Sequence, residues 1–458
     1  MNIIHIIPGS GGSFYCGNCL RDSKFFEALR KKKHNVVKIP MYLPLFADEH
    51  DLNHIPVFYG AISIYLKQLF PIFRKAPKWF DRFLNSKVML KIAAKNAGST
   101  RAKGLEEMTI SMLLGEDGQQ KEELERMVNW IAEHCKPDVI HLSNALLLGL
   151  AHKIKKKLNV PVICSLQDED VWVDVMSLEN RKKVWSLMSK KADDTDAFIS
   201  VSKYYSGVSK DRMNLKHEKI HTIHLGVDPK DYQYINSVEK ERNIGYISRM
   251  CPENGLDILV DAFIELKKSP VNRDVKLLIT GGHTGDDIRY LKNIKKKIRK
   301  KKLDNFVEFW DQFESEDRDN FFKKIAILSV PVRNGEAFGI YLTEAMASGI
   351  PVVQPALGAF PEIIEKSGGG IIYEKNNPSE LAKALQCLLD DKMKLKELSE
   401  TARKSVEEKF NINILAKELI EVYEKVIEKP NLDKPSPACR QTRPEAETGI
   451  SKKGIKYT

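Results

Sequence analysis

Two glutamates, Glu336 and Glu344, flank a glycine-rich turn within residues 334–353. The sequence predicts a short helix over Ile340–Ser348, directly after Gly339, so the free N–H groups of its first turn and its dipole favour an anion such as phosphate. Carboxylates beside a phosphate site are not phosphate ligands, and sugar hydroxyls are the partners that suit them. The alternative is a pair of solvated glutamates on an ordinary strand–helix unit, and spacing alone does not decide between the two.

Strand-like and helix-like segments alternate along the chain, which predicts parallel sheets with crossover helices. The strands predicted in the first half are Asn2–Ile7, Asn35–Ile39, Val139–Leu142, Val162–Leu166, Ala197–Ser202 and Ile220–His224. Those predicted in the second half are Ile244–Ser248, Val275–Thr280, Phe306–Phe309, Ala326–Val330, Val352–Gln354 and Gly370–Tyr373. The polar stretch 231–242 separates them, so we expect an α/β fold with two doubly wound, Rossmann-like domains.

Composition excludes several classes of protein. The 458 residues include 73 Lys and Arg against 62 Asp and Glu, a net charge of +11, with 42% hydrophobic and 29% charged residues. This balance is typical of a globular chain and not of a disordered, collagen-like or polytopic membrane protein.

The first residues, Met1–Pro8, predict a strand instead of a secretory signal. Seven scattered cysteines form no disulfide framework, which favours a reducing, cytoplasmic location.

The segment around the two glutamates resembles a known family. Its pattern, E-x-F-G-x-x-x-x-E-A-M-A-x-G-x-P-V-V, is similar to the E-x7-E motif of the retaining, nucleotide-sugar-dependent glycosyltransferases of family 4, which have the GT-B fold. Further matches in the same order are residues 246–249, 255–257, 278–282 and 361–364, with a looser match at 226–228. The resemblance extends over roughly residues 1–428. It implies two Rossmann-like domains that face a cleft.

The resemblance also implies roles for particular residues. Glu344 would bind the ribose hydroxyls of the donor, and Glu336 would hold hydroxyls of the transferred sugar near the reacting carbon. Arg249 would neutralise the diphosphate, because a guanidinium matches phosphate geometry well. Glu336 and Arg249 are therefore the predicted catalytic residues. The other predicted donor-binding residues are Ala337, Phe338, Gly339, Ile340, Asn254 and Gly281.

The implied reaction transfers a hexose to an acceptor hydroxyl with retention of configuration. The donor would be a UDP-, GDP- or ADP-sugar, and the residues do not choose among the bases. The acceptor would be a carbohydrate or a lipid-linked molecule, as in cell-surface glycan or glycolipid synthesis. The leaving phosphate is expected to help deprotonate the acceptor. We find no Asp-x-Asp motif in the appropriate place, so no metal and no cofactor are predicted.

One position departs from the family pattern. The usual sequence is Arg, four residues, then Lys-Gly, whereas here Asn254 stands before Gly255 where Lys is expected. An amide donates hydrogen bonds but brings no charge to a phosphate. The departure favours the alternative of a GT-B protein that binds a nucleotide sugar without catalysis. The other motif residues are intact, and we therefore favour activity.

The first half contributes weaker candidates. Gly11 and Gly12 are predicted to lie in the first strand–helix loop, facing the cleft together with Tyr15. Gln167 and Asp168 follow the strand Val162–Leu166 at the edge where open α/β sheets bind ligands, so contact with the acceptor or the transferred sugar is expected. The alternative is an ordinary surface loop.

A C-x-x-C motif opens the first helix. A thiolate at Cys16 or Cys19 would be stabilised by the helix dipole, so a redox protein is a further alternative. No second cysteine pair accompanies this one, and a four-cysteine zinc site is therefore unsupported. The eight basic residues within 292–302 share a helix with a buried apolar face and predict no nucleic-acid binding.

Residues 61–104 depart from the strand–helix alternation. They carry ten Lys and Arg against one Asp, with six interleaved aromatic residues. An anionic membrane surface is a candidate partner of this helical insertion, which would place the protein peripherally on the inner face of the membrane. The alternative is that its apolar residues pack on the first sheet.

The predicted domains are 1–232 with an insertion at about 61–118, 243–409, a returning helix at 410–429, and a disordered tail at 430–458.

Overall fold

The computed structural model describes residues 1–8, 15–41, 105–311, 313 and 315–428. The basic segment 61–104, the tail 430–458, and Gly11 and Gly12 lie outside the described residues. Residues 1–427 form one compact unit.

The first half contains a sheet of six parallel strands. They are β1 (Asn2–Ile7), β2 (Asn35–Pro40), β3 (Val139–Leu142), β4 (Val162–Leu166), β5 (Ala197–Ser200) and β6 (Ile220–Thr222). Their order is β2-β1-β3-β4-β5-β6, and Ile3 of β1 pairs with both Val36 and Val139. Strand order therefore reverses direction between β1 and β3, the kind of switch point at which such sheets bind ligands.

Helices cover both faces of this sheet. They are α1 (Gly17–Lys31), α2 (Glu106–Leu114), α3 (Lys121–His134), α4 (Ala151–Leu158), α5 (Glu169–Val173), α6 (Leu178–Lys191) and α7 (Lys203–Met213). Strands β3, β4 and β5 have only buried residues, as expected for a parallel sheet covered on both sides.

The second half repeats this architecture. Its strands are β7 (Ile244–Ile247), β8 (Leu277–Thr280), β9 (Val307–Phe309), β10 (Ile327–Leu328), β11 (Val352–Pro355) and β12 (Gly370–Tyr373), in the order β12-β11-β10-β7-β8-β9. The switch point lies between β7 and β10, whose following loops carry Arg249 and Glu336 respectively.

The helices of the second half are α8 (Leu256–Leu266), α9 (Ile288–Lys300), α10 (Ser315–Lys323), α11 (Ile340–Ala347), α12 (Phe360–Ser367), α13 (Pro378–Asp390), α14 (Lys392–Glu408) and α15 (Ile412–Glu428). Helix α15 contacts the first sheet: the hydroxyl of Tyr423 and Nδ1 of His141 lie 2.6 Å apart. Next to it, the N–H of Val227 donates to the carbonyl of Phe410 at 3.1 Å.

The predicted fold class is confirmed, since all twelve predicted strands are present in two parallel sheets. Several ends differ by a few residues. The strand predicted over Ala197–Ser202 ends at Ser200, because Ser202 caps α7 through its side chain. The predicted domain boundary near 232–243 stays a prediction.

Glu362 of α12 connects the two halves at the N-terminus of α7. Its carboxylate accepts the N–H groups of Lys203 and Tyr204 at 3.0 Å each and Nε2 of His224 at 2.8 Å. The hydrogen bonds lower the pKa of Glu362 against the opposing effect of its partial burial. The N–H groups in the first turn of a helix have no partner within the helix. The carboxylate of Glu362 therefore stabilises α7 and also the contact between the two halves of the chain.

We therefore expect Glu362→Ala to lower the free energy of unfolding by about 2 kcal/mol, because three donors lose their acceptor. Thermal and chemical unfolding would measure the loss. Glu365→Ala, at an exposed position on the same helix, is the matched control and should change stability by less than about 0.5 kcal/mol. Equal effects of the two substitutions would contradict the contact.

Candidate functional site

A cavity lies where the carboxyl ends of the two sheets meet. Its lining comes from both halves of the chain: Gly17, Asn18, Gln167, Asp168, Val201 and Leu225 from the first, and Glu336, Phe338, Gly339 and Ile340 from the second. The structure therefore brings Gln167, Asp168 and the glycine-rich turn before α11 into one site. Its volume of about 250 Å³ includes the part open to solvent.

Glu336 projects from the turn into this cavity. Its Oε2 accepts the hydroxyl of Tyr341 at 2.6 Å, and burial raises the pKa of Glu336 to about 7. Gly339, at φ +86°, is the N-cap residue of α11, and a Cβ there would lie 3.1 Å from Tyr341 and 3.3 Å from the carboxylate of Glu336. A side chain at 339 would thus crowd this hydrogen bond in a backbone conformation that favours glycine.

Asp168 approaches the same turn from the first half. Its Oδ1 accepts the N–H of Ala337 at 3.0 Å. Burial, and then the charge of Glu336, raise the pKa of Asp168 well above its usual range. Two carboxyl groups that oppose each other's ionisation favour a state in which one of them is protonated. Such a pair offers both an O–H donor and a carboxylate acceptor to hydroxyl groups in the cavity.

Gln167 adds a polar group to the same wall. It is buried, and its Nε2 donates to the carbonyl of Ser143 at 2.9 Å. Its Oε1 is buried and has no hydrogen-bond partner among the described residues. Since a buried acceptor without a partner costs free energy, Oε1 is suited to a ligand hydroxyl or a water molecule.

Glu344 has no exposed surface and is held entirely by side chains. The hydroxyl of Tyr15 donates to Oε2 at 2.5 Å, and Oε1 accepts the hydroxyl of Tyr232 at 2.8 Å and Nε of Arg318 at 3.0 Å. The ion pair with Arg318 compensates the burial of its charge. Tyr15 is the predicted loop residue that the structure does place at the cleft.

Arg249 is also held by a carboxylate. Its Nε donates to Oδ2 of Asp287 at 2.9 Å, and its Nη2 donates to Oδ1 of Asp287 at 3.2 Å and to Thr284 at 3.1 Å. Asp287 is fully buried and belongs to a capping box before α9. The pairing fixes the plane of the guanidinium and offsets its charge.

Asn254, in the place of the expected Lys, shapes the loop around Arg249. Its Nδ2 donates to Oγ of Ser248 at 2.8 Å and to the carbonyl of Arg249 at 3.1 Å. Both amide hydrogens therefore have protein acceptors. The structure assigns Asn254 a role in loop geometry.

Two further hydrogen bonds, both to backbone carbonyls, join the halves: one from a backbone N–H and one from the hydroxyl of Ser202. The N–H of Tyr15 donates to the carbonyl of Gly281 at 2.8 Å, and Ser202 donates to the carbonyl of Ala337 at 2.6 Å. Gly281 has φ +119°, and a Cβ there would lie 2.2 Å from the carbonyl oxygen of Ser248. Only glycine fits this position, which explains the glycine after β8.

Sequence reasoning missed the partners of the predicted residues. They are Tyr232, Arg318, Tyr341, Thr284 and Asp287. Tyr341 had a local signal, because it is the second residue of the predicted helix and follows Glu336 by five residues. The S/T-x-x-D spacing of Thr284 and Asp287 is likewise a capping-box signal.

No three or more His, Cys, Asp or Glu side chains in the described part of the chain are arranged to hold a metal ion. Among the described helices, none combines the length and apolarity that crossing a membrane requires. The predicted contact of residues 61–104 with a membrane surface lies outside the described residues.

The two sheets and their shared cleft define the GT-B class of glycosyltransferase folds. Residues 228–405 match the family model of glycosyl transferases group 1, and residues 117–231 match that of glycosyltransferase family 4. Both matches and the fold show that the chain is similar to GT-B glycosyltransferases of the group 1 and family 4 type.

Proteins of similar sequence are also named as glycosyltransferases. An uncharacterized glycosyltransferase of Methanocaldococcus jannaschii is 29% identical over 291 residues, which cover 63% of this chain and 76% of the relative. A D-inositol 3-phosphate glycosyltransferase of Corynebacterium kroppenstedtii is 28% identical over 186 residues, 41% of each chain. The crystal structure of Anabaena HepE in complex with UDP aligns with a TM-score of 0.65 at 17% identity and covers 93% of this chain and 100% of HepE. At that identity, the likeness shows the fold alone.

The raised pKa of Glu336 predicts a stability that depends on pH. The pKa of Glu336 is about 7 in the folded state, against about 4.5 in the unfolded state. Because the unfolded state ionises at lower pH, the free energy of unfolding falls as the pH rises from 4.5 through 7. We expect Glu336→Gln to be more stable than the wild type by about 2–3 kcal/mol at pH 8 and not at pH 4.5.

Unfolding curves from pH 4.5 to 8 would measure this difference. Glu374→Gln removes the same charge from an exposed position and controls for net charge. A stability difference between Glu336→Gln and wild type that is constant with pH would show that Glu336 ionises freely in the fold.

Proposed function

We propose that this protein is a retaining hexosyltransferase that moves a sugar from a nucleotide-diphosphate donor to an acceptor hydroxyl without a metal ion. The observation that carries the proposal is the convergence of Glu336, Asp168 and Gln167 on one cavity at the N-terminus of α11. Carboxyl and amide groups of this kind match sugar hydroxyls, while the helix N-terminus and its dipole match a phosphate.

In this proposal, the transferred sugar occupies the cavity. The ionised member of the Asp168–Glu336 pair accepts a sugar hydroxyl, and the protonated member donates to an oxygen. Oε1 of Gln167 accepts a further hydroxyl. The diphosphate lies against the N–H groups that open α11, where the dipole stabilises the charge that develops on the leaving group. The leaving phosphate then takes the proton of the acceptor hydroxyl.

The donor ribose is proposed to bind Glu344. Oε1 already has two protein donors, whereas Oε2 has the hydroxyl of Tyr15. A ribose hydroxyl can replace the Tyr15 hydroxyl at Oε2 with a bond of the same type. Donor binding would thus exchange a contact between the halves of the chain for a contact with the nucleotide.

Comparisons support a nucleotide donor but leave its base open. HepE is described in complex with UDP, and the Corynebacterium relative acts on D-inositol 3-phosphate. A UDP-, GDP- or ADP-sugar donor and a carbohydrate or lipid-linked acceptor remain the proposed substrates, with cell-surface glycan or glycolipid synthesis as the setting.

A second candidate is a GT-B protein that binds the nucleotide without catalysis. The paired state of Arg249 favours it, because Asp287 offsets the charge that a diphosphate would need, and Asn254 adds none. The two candidates differ in turnover and not in nucleotide binding.

The decisive experiment combines binding and turnover. We expect one of UDP, GDP or ADP to stabilise the protein, by about 2.7 kcal/mol at 100 times its dissociation constant, and the matching sugar donor to be hydrolysed or transferred. Glu336→Ala should lower turnover by at least about a hundredfold, since it removes a group that contacts the sugar, while nucleotide stabilisation persists.

Glu374→Ala is the matched surface control and should leave turnover unchanged. Stabilisation by a nucleotide without turnover of any of its sugar donors would favour the binding protein. No stabilisation by any of the three nucleotides would contradict both candidates.

Asn254 offers a test of the diphosphate site. We expect Asn254→Lys to tighten binding of the nucleoside diphosphate by about tenfold, because a cation near a phosphate adds favourable charge, and to tighten the monophosphate less. The variant loses two hydrogen bonds of the loop, so its unliganded stability should fall by about 1–2 kcal/mol. Calorimetric titration with both nucleotides would measure the difference. Equal affinities of variant and wild type for the diphosphate would place the phosphates elsewhere.

A further inference from the structure

Cys16 and Cys19 face each other at the start of α1. Cys16 is the N-cap residue, Cys19 is the third residue of the helix, and Sγ of Cys16 accepts the N–H of Cys19 at 3.4 Å. Side chains at these two positions meet in the same way as those of a capping box. Both residues are half-buried, and neither forms a disulfide in the structure.

The two sulfurs have opposite acid–base character. The hydrogen bond from the thiol of Cys19 lowers the pKa of Cys16, and the same contact raises the pKa of Cys19 well above its usual range. The dipole of α1 also favours a thiolate at its N-terminus. The pair therefore combines a nucleophilic thiolate with a protonated second thiol, the combination that thiol–disulfide exchange requires.

We propose that Cys16 and Cys19 are a redox-active dithiol that exchanges with small-molecule disulfides. The thiolate of Cys16 attacks the disulfide, forms a mixed disulfide and releases one thiolate. Cys19 then loses its proton to solvent and attacks the sulfur of Cys16, which forms the Cys16–Cys19 disulfide and releases the second thiolate. The two protein thiols supply the two electrons that reduce the small disulfide to two thiols.

The pair lies beside the cleft. Gly17 and Asn18, between the two cysteines, line the cavity with Glu336, and a Cβ on Gly17 would lie 3.3 Å from Ile340. Tyr15, directly before the pair, donates to Glu344. Closure of a disulfide changes the geometry of this turn, so oxidation is expected to weaken nucleotide binding. That consequence rests on the proposed function, whereas the exchange reaction does not.

Mass spectrometry of the full chain in mixtures of reduced and oxidised glutathione tests the exchange. We expect wild type to form the Cys16–Cys19 disulfide, and Cys19→Ser to accumulate glutathione on Cys16. Cys16→Ser, in which serine keeps the helix cap, should take up glutathione on Cys19 at least about tenfold more slowly. Cys387→Ser removes an exposed cysteine and should leave the disulfide unchanged.

Two results would overturn the proposal. One is a wild type in which Cys16 and Cys19 stay reduced when oxidised glutathione predominates. The other is a Cys19→Ser variant whose Cys16 reacts no faster than the exposed Cys387. Titration of the oxidised and reduced chain with UDP, GDP and ADP adds the functional readout. Absence of nucleotide binding in both states would contradict the proposed function, while the mass spectra still decide on the dithiol.

Discussion

The carboxylate of Glu344 has no contact with solvent, and an ionised group in that position must be satisfied by protein donors. Its donors come from three separate places in the chain: Tyr15 after the first strand, Tyr232 between the sheets, and Arg318 on α10. No one half of the chain supplies them all. The burial of one charge thus requires the two sheets to meet, and that meeting forms the cavity.

The cleft also separates two kinds of electrostatic environment. On one side, Asp168 and Glu336 oppose each other's ionisation, which makes this wall suited to neutral hydroxyl groups. On the other, Arg249 is fixed by Asp287 in a loop whose geometry Asn254 maintains. The ion pair with Asp287 fixes the position of the guanidinium and offsets its positive charge. A diphosphate at this site would therefore depend more on helix N–H groups than on side-chain cations.

Much of this arrangement was readable from the sequence. Strand positions follow from local apolar runs bounded by polar turns, so all twelve were predicted. The motif resemblance singled out Glu336 and Glu344, of which Glu336 lines the cavity and Glu344 is fully buried. The partners of those glutamates were not readable, because Arg318 and Tyr232 meet Glu344 only through the tertiary fold and have no periodic signal. The pairing of Arg249 with Asp287 was missed for the same reason: 38 residues separate the two.

The contact between Tyr423 and His141 joins residues 282 positions apart, and it closes one face of the first sheet with the last described helix. During synthesis, the strand that carries His141 leaves the ribosome long before Tyr423 does. Since domains generally fold as units while the chain is made, the first half cannot complete this face until the C-terminal helix is available. The order of synthesis thus makes the last described helix the element that completes the first sheet.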